Sequence, residues 1–337
     1  SLDTTKQSAI GVSPVAGSAV TVGTPFPLSL VTHYNNPING GATYYTGKLD
    51  VKLFGFASTP TLTYDWRLWE TPNQASPCAF PNGPNSNGCA DQVVFTNQIP
   101  NQILTKGGAS YKLVVNGFSP VTGSTCPTTM PANTITQFLT KESDSSRACI
   151  YATLARVRSL VIKKQVTTPI SGATIPSTTF AFTSSSDRLG SPWDNRSFSL
   201  TPTQSTPAQT AASELIQGET VTVDEAVPSA DTWELTDIVC TDGTGANVPI
   251  TDKNLAAGSF KMEAGEPASV AAEPITCTYT NTYTPKASLT LKKTVDGGSA
   301  QPTAWTLTAN GPSPISGASG AASVTNKRVT AGTYALG

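Results

Sequence analysis

The chain has 337 residues, 38% hydrophobic and 13% charged, and its 21 basic and 22 acidic residues leave a formal net charge of -1. That length accommodates two or three domains with separate cores, and the balanced charge, without a basic block, excludes the electrostatic footprint of a nucleic-acid partner. No stretch is apolar for long enough to cross a bilayer and no signal peptide precedes Ser1, so the sequence reads as a mature or trimmed chain without membrane contact of its own.

There are 27 Gly and 26 Pro among abundant Thr and Ser. Short runs of β-branched and aromatic residues recur between them, which is the signature of an all-β chain and not of disorder. Residues 1–158 carry predicted strands at 20–22, 26–32, 49–56, 62–69, 93–95, 111–115, 136–139 and 149–160, with clean period-two alternation in 49–56 and 62–68. These short strands read as an N-terminal β-sandwich with an adhesive or assembly role. Its long excursion, 71–91, is rich in Pro, Asn and Gly. Trp66 and Trp69 are three apart and cannot share one face of a regular strand, so Trp69 is a candidate for a binding surface beside that excursion, or for packing beneath it.

The second segment, 159–286, opens with Leu160-Val161-Ile162-Lys163-Lys164. Further strands are predicted at 179–183, 197–200, 219–223, 233–240 and 275–280, with a short helical turn at 209–217. The third segment, 287–337, repeats that opening as Ser288-Leu289-Thr290-Leu291-Lys292-Lys293, and the similarity argues for tandem modules, the last of them partial.

Six cysteines form an even set without CxxC spacing. The expected pairing is sequential, Cys78–Cys89, Cys126–Cys149 and Cys240–Cys277, in an oxidising extracellular setting; six buried free thiols are the alternative. The sole histidine, His33, is far in sequence from all of them, so no metal site and no cofactor are expected.

Alternation carries the chemistry. Leu160, Ile162 and Lys164 share a face if the strand is regular; Glu225 shares one with Val221 and Val223, and Asn281 with Cys277 and Tyr279. Three polar side chains thus reach interior faces from three strands. Desolvation favours a neutral Lys164 amine and a protonated Glu225. A neutral amine is a nucleophile, and Glu225 could polarise the Asn281 carboxamide and shuttle protons as ammonia leaves, giving a Lys164–Asn281 isopeptide bond. The plainer alternative has Lys164 snorkelling to the sheet edge, Glu225 at the surface and Asn281 in a turn.

On these residues the sequence resembles the prealbumin-like, or collagen-adhesin B-type, domains of Gram-positive pilins (SpaA-like) and surface adhesins. The strand 160–164, the segment Glu225-Ala226-Val227-Pro228 leading to Trp233, and Tyr279-Thr280-Asn281-Thr282 match that family's three ordered elements. The resemblance covers 159–286 well and 287–337 in part. It implies a tandem β-sandwich architecture of Ig-like or prealbumin-like topology, a Lys164–Asn281 crosslink assisted by Glu225, and a cell-surface or cell-wall location, with an actinobacterial source suggested by the Thr- and Pro-rich repeats with cysteines. Lys293 is the repeat counterpart of Lys164, left without an in-chain Glu or Asn partner. Lys6, Lys48, Lys52 and Asn116 show no such ordered motif.

Three function classes follow. The first is a structural adhesin or fimbrial-type stalk, whose partners would be neighbouring surface subunits. The second is a dedicated adhesin recognising a host or cell-surface protein or glycan through loops of 1–158. The third, a hydrolase using His33 as base, lacks a nucleophile and an orienting group, so self-crosslinking is the only chemistry expected.

Overall fold

Strand after strand in this chain alternates a buried with an exposed residue, so each must lay one face on a second layer. The computed structural model describes residues 8–15, 19–37, 42–188, 190–267 and 269–337. The fold is all-β; among the described residues the only helices are two three-residue 3-10 turns, Val270–Ala272 and Pro302–Ala304. The chain divides into two units, one made of Ser1–Arg158 with Ile216–Gly218 and Ala264–Val270, the other of the remainder.

The first unit is a sandwich of two sheets. One sheet is ordered β1 (Ala9–Pro14), β2 (Pro25–Asn35), then β9, β7 and β6; the other is β3 (Thr43–Val51), β4 (Leu62–Glu70), β5 (Asp91–Phe95), β8 (Gln137–Thr140). Here β6 is Leu104–Lys106, β7 Ala109–Val121, and β9 the 24-residue strand Asp144–Thr167. Val31, Leu113, Phe118, Ile150 and Leu154 from the first sheet meet Leu62, Tyr64, Leu68, Val93 and Phe138 from the second in one buried cluster. The Tyr64 hydroxyl crosses the interface to donate to the Leu113 carbonyl at 2.7 Å.

The second unit has its own pair of sheets. In one, the distal half of β9 is flanked by β12 (Ala208–Gln209) and β13 (Ser213–Ile216) on one side and by β18 (Ile275–Tyr283), then β15 (Trp233–Thr241), on the other. The opposing sheet is ordered β11 (Arg196–Leu200), β10 (Phe180–Ser186), β14 (Thr220–Ala226), β17 (Ser259–Glu263), β16 (Thr251–Asn254). Tyr279 of β18 packs edge-on to Phe182, with ring centroids 5.2 Å apart, and donates its hydroxyl to the Val223 carbonyl at 2.8 Å, joining the two layers. The C-terminal strands β19 (Lys286–Leu289) and β22 (Lys327–Thr330) pair, as do β20 (Thr306–Asn310), β21 (Ile315–Ala318) and β23 (Ala335–Leu336), around Leu291, Ala309 and Val324.

Several elements differ from their sequence-based prediction. Residues 20–22 are loop and turn, not strand. The strand expected at 49–56 ends at Val51; its continued alternation belongs to a loop in which Leu53 and Phe56 pack on the core, Phe54 is exposed and Gly55 takes a φ of +88°. Strands expected as separate runs at 149–160 and 160–164 are one strand, β9. The helical turn at 209–217 is extended chain instead. Thr210 there exchanges both backbone and side-chain bonds with Ile162: its N–H donates to the Ile162 carbonyl at 2.9 Å and its hydroxyl accepts the Ile162 N–H at 3.1 Å. A free edge of β9 offering unpaired backbone groups outcompetes weak local helix propensity.

Candidate functional site

Three strands build the site. β9 and β18 run parallel, and their register sets Lys164 opposite Tyr279 and Val166 opposite Asn281. Side chains at positions 160, 162, 164 and 166 are buried, as are those at 275, 277, 279 and 281, so Lys164 and Asn281 both enter the core. From the opposing sheet, β14 brings Val221, Val223 and Glu225 inward. The Glu225 backbone is fixed by its N–H to the Gly258 carbonyl at 2.9 Å. Gly258 itself has a φ of +79°, and a Cβ there would lie 2.2 Å from the Glu225 carbonyl oxygen, so a glycine is required.

The three side chains close a triangle. The Lys164 Nζ donates to Glu225 Oε2 at 3.1 Å and to Asn281 Oδ1, and the Asn281 Nδ2 donates to Glu225 Oε1 at 2.6 Å. Lys164 and Asn281 are fully buried and Glu225 is 3% exposed. Phe180 roofs the amine, its ring centroid 4.4 Å from Nζ. Burial pushes the Lys164 amine down to about 8, against the opposing pull of the Glu225 charge. Burial likewise raises the Glu225 carboxyl, against Lys164 and the Asn281 hydrogen bond. Both shifts favour the uncharged forms. With an amine pKa near 8, about a tenth of Lys164 is neutral at pH 7. Glu225 faces the carboxamide nitrogen, whereas the sequence reading had it polarising the carbonyl; the contact to the carbonyl comes from Lys164 itself.

The other candidate residues are placed as follows. Cys78–Cys89, Cys126–Cys149 and Cys240–Cys277 are disulfide-bonded, the last directly across β15 and β18. Lys293 lies with its Nζ 5.1 Å from the Trp305 ring centroid. Trp69 is held between Tyr44, stacked at 5.3 Å, and Phe80 of the disulfide loop, edge-on at 5.2 Å, so it packs beneath that loop. Lys48 pairs with Asp65 on the surface, Lys52 is exposed, and the Asn116 carboxamide accepts the Thr153 hydroxyl; Lys6 lies outside the described residues. A mainly apolar cavity of about 940 Å³, lined by Val20, Phe26, Leu49, Phe56 and Tyr111 among others, lies in the first unit, and Trp69 is not one of its walls.

One buried polar group escaped the sequence reading. His33 belongs to it, but not as the base of a hydrolase: it sits with Glu70, Asp91 and Glu142 inside the first unit, each fully buried. The signal was present for three of them, because His33, Glu70 and Asp91 share the core-facing phase of their own strands with Val31, Leu68 and Val93; Glu142 lies in the turn after β8.

Residues 161–283 and 284–337 each match a family model described as a prealbumin-like fold domain of the SpaA type. The two matches follow one another along the C-terminal half of the chain: the first spans the Lys164–Glu225–Asn281 triangle, and the second spans the strands around Leu291 and Val324. No curated protein matches the chain. Among solved structures it is similar to the major pilin from Streptococcus pyogenes, at 13% identity and a TM-score of 0.27 over 82% of this chain and 98% of that one. The T3.2 major pilin protein of the same species gives 14% and 0.24, and the T-13 major pilin protein 10% and 0.22, each over 82% of this chain and 97% of the other. Identities and TM-scores this low carry neither function nor overall arrangement across. The expectation of an actinobacterial source finds no support in these matches.

Proposed function

We propose that the chain is an extracellular structural subunit, of the stalk or adhesin kind, on a Gram-positive cell surface, and that its first prealbumin-like domain hardens itself by an isopeptide bond between Lys164 and Asn281. The observation that carries the reading is the closed, buried triangle of Lys164, Glu225 and Asn281. Burying an amine, a carboxyl and a carboxamide together is costly unless they satisfy one another or react.

The chemistry balances within the three residues. The neutral Lys164 amine adds to the Asn281 Cγ, the C–Nδ2 bond breaks, and Nδ2 leaves as ammonia. Glu225 spans the two nitrogens, with Oε2 at the nucleophile and Oε1 at the leaving group, so it can accept the proton that Nζ sheds and deliver one to Nδ2. Held in contact by the fold, the groups react as an intramolecular pair at high effective concentration. The reaction occurs once per molecule and acts on no external substrate.

Three disulfides fit an oxidising compartment, and together with the crosslink they restrain the unfolded chain under force or protease attack. In such a stalk the partners are neighbouring surface subunits. The intact mass of the fully reduced chain tests the reading: it should be lighter than the sequence mass by one ammonia, whereas a Lys164→Ala variant should show its full sequence mass. A parent chain of full sequence mass removes the proposal.

A further inference from the structure

The first unit holds a polar constellation that the crosslink does not use. His33 and Asn35 come from β2, Glu70 ends β4, Asp91 begins β5, Thr140 ends β8, and Glu142 follows in the turn to β9. None of the six is more than 1% exposed. One ring nitrogen of His33 and one carboxylate oxygen from each of Glu70 and Asp91 all lie within 4.8 Å of one another, and His33 Nε2 is the nitrogen nearest Glu70. Glu142 lies against both Asp91 and Asn35.

What marks this cluster is how little of it is satisfied. His33 Nε2, both Glu70 oxygens, Asp91 Oδ2, both Glu142 oxygens and both polar atoms of the Asn35 carboxamide are buried without a hydrogen-bond partner. His33 Nε2 and Glu70 Oε1 stand 3.5 Å apart, too far for a hydrogen bond. Among the described residues no lysine or arginine forms an ion pair with any of the three carboxylates. Buried orphan polar atoms are rare in native proteins, and carboxyl groups that approach one another as Glu70, Asp91 and Glu142 do require a shared positive partner, either a proton or a cation.

The outer contacts are already in place. The Thr140 hydroxyl meets His33 Nδ1 at 2.8 Å, which fixes the ring and leaves Nε2 facing the carboxylates. The Thr71 N–H holds Asp91 Oδ1 at 2.7 Å, leaving Oδ2 unclaimed.

We propose that His33, Glu70 and Asp91 bind one divalent transition-metal cation of the Zn2+ or Mn2+ class, with Glu142 supplying a further carboxylate. An imidazole among carboxylates suits these ions, whereas Ca2+ prefers six to eight oxygens. Ligand atoms about 2.1 Å from a tetrahedral ion are separated by about 3.4 Å, close to the spacing of His33 Nε2 and Glu70 Oε1. Because His33 belongs to one sheet and Glu70 and Asp91 to the other, the cation fastens the two layers of the sandwich together. It does so at the root of the excursion closed by Cys78–Cys89, where the Thr71 hydroxyl donates to the carbonyls of Cys89 and Ala90.

The test uses the full, untagged chain, stripped with a chelator and titrated separately with Zn2+ and Mn2+ by calorimetry and thermal unfolding. One ion per chain and a raised unfolding temperature are expected. His33 is the only histidine, so the two ring 15N signals of one imidazole should respond to Zn2+ addition, Nε2 the more strongly. The isosteric double variant Glu70→Gln, Asp91→Asn should abolish both responses, and its unfolding temperature without metal should equal or exceed that of the stripped parent, because two buried charges are gone. If the parent takes up neither ion, or if the variant binds as the parent does, the proposal is overturned. A double variant less stable than the stripped parent would also overturn it, since the carboxylates would then be structural through contacts of their own.

Discussion

Lys164 and Asn281 lie diagonally across the parallel pair β9–β18, Asn281 two residues beyond the position directly opposite Lys164. Both side chains therefore point into one core, and the length of the lysine covers the two-residue offset. Glu225 reaches them from the facing sheet, so the triangle forms only when both layers have packed. Crosslinking should follow folding and never precede it.

Removing either end of the bond should cost stability as well as mass. The two residues are separated by 117 positions, and closing a loop of that order stabilises a fold by about 4–5 kcal/mol. Asn281→Ala, which has no carboxamide to react, should show its full sequence mass and unfold roughly 10–15 °C lower than the parent in a calorimetric scan. Equal unfolding temperatures for the two chains would count against a bond in the parent.

Glu225→Gln removes the proton carrier but keeps the side-chain shape. Loss of a positioned general acid–base slows such steps by about a hundredfold or more. Freshly folded variant should therefore contain a large uncrosslinked fraction by mass, which declines slowly on standing. Complete crosslinking at the earliest time point would exclude a role for Glu225.

The pH dependence follows from the lysine. Its amine pKa is lowered in the fold from 10.5 to about 8, so the reactive neutral form grows about tenfold per pH unit up to that value and then levels off. Chain refolded at about pH 5 should stay uncrosslinked for longer than chain refolded at about pH 8. In uncrosslinked protein the same shift has a definite sign. The unfolded chain holds the proton that the folded chain has released between about 8 and 10.5, so this contribution to stability rises with pH across that window and is lost as pH falls through 8.

Cys240–Cys277 closes a span of 37 residues that lies wholly inside the Lys164–Asn281 loop. Alone it is worth about 3–4 kcal/mol, but nested restraints do not add. A Cys240→Ala, Cys277→Ala chain should still lose one ammonia, because β9 and β18 are paired along eight residues without the disulfide's help, and its unfolding temperature should fall only slightly. Failure to crosslink would mean that the disulfide sets the register.

Trp69→Ala tests packing against binding. With Tyr44 on one face and Phe80 at its edge, the indole supports the disulfide loop. Its truncation should destabilise the first unit by about 2–3 kcal/mol in denaturant titrations.

Much of the Lys164–Glu225–Asn281 site was legible because strand phase is local. The runs 221–225 and 277–281 alternate, and although Val161 is buried beside Leu160 and Ile162, the phase of those two residues carries Lys164 inward with Glu225 and Asn281. The same rule puts Glu70 and Asp91 in the core-facing phase of their strands, but nothing in one strand announces the buried neighbours on the others. The segment 209–217 was misread for a related reason: its extended form is imposed by the edge of β9, a partner distant in sequence.

The sequence by itself determined the all-β character, the inward phase of Lys164 and the recurrence of the Leu160–Lys164 run at Leu289–Lys293, all of which are written in short-range pattern. Only the tertiary structure decided that β9 and β18 run parallel in register, that the Glu225 carboxylate faces the Asn281 nitrogen, and that His33 meets Glu70 and Asp91. Those outcomes depend on which strands pair and how the layers stack, and pairing is settled by packing between residues far apart in the chain, where local alternation has no say.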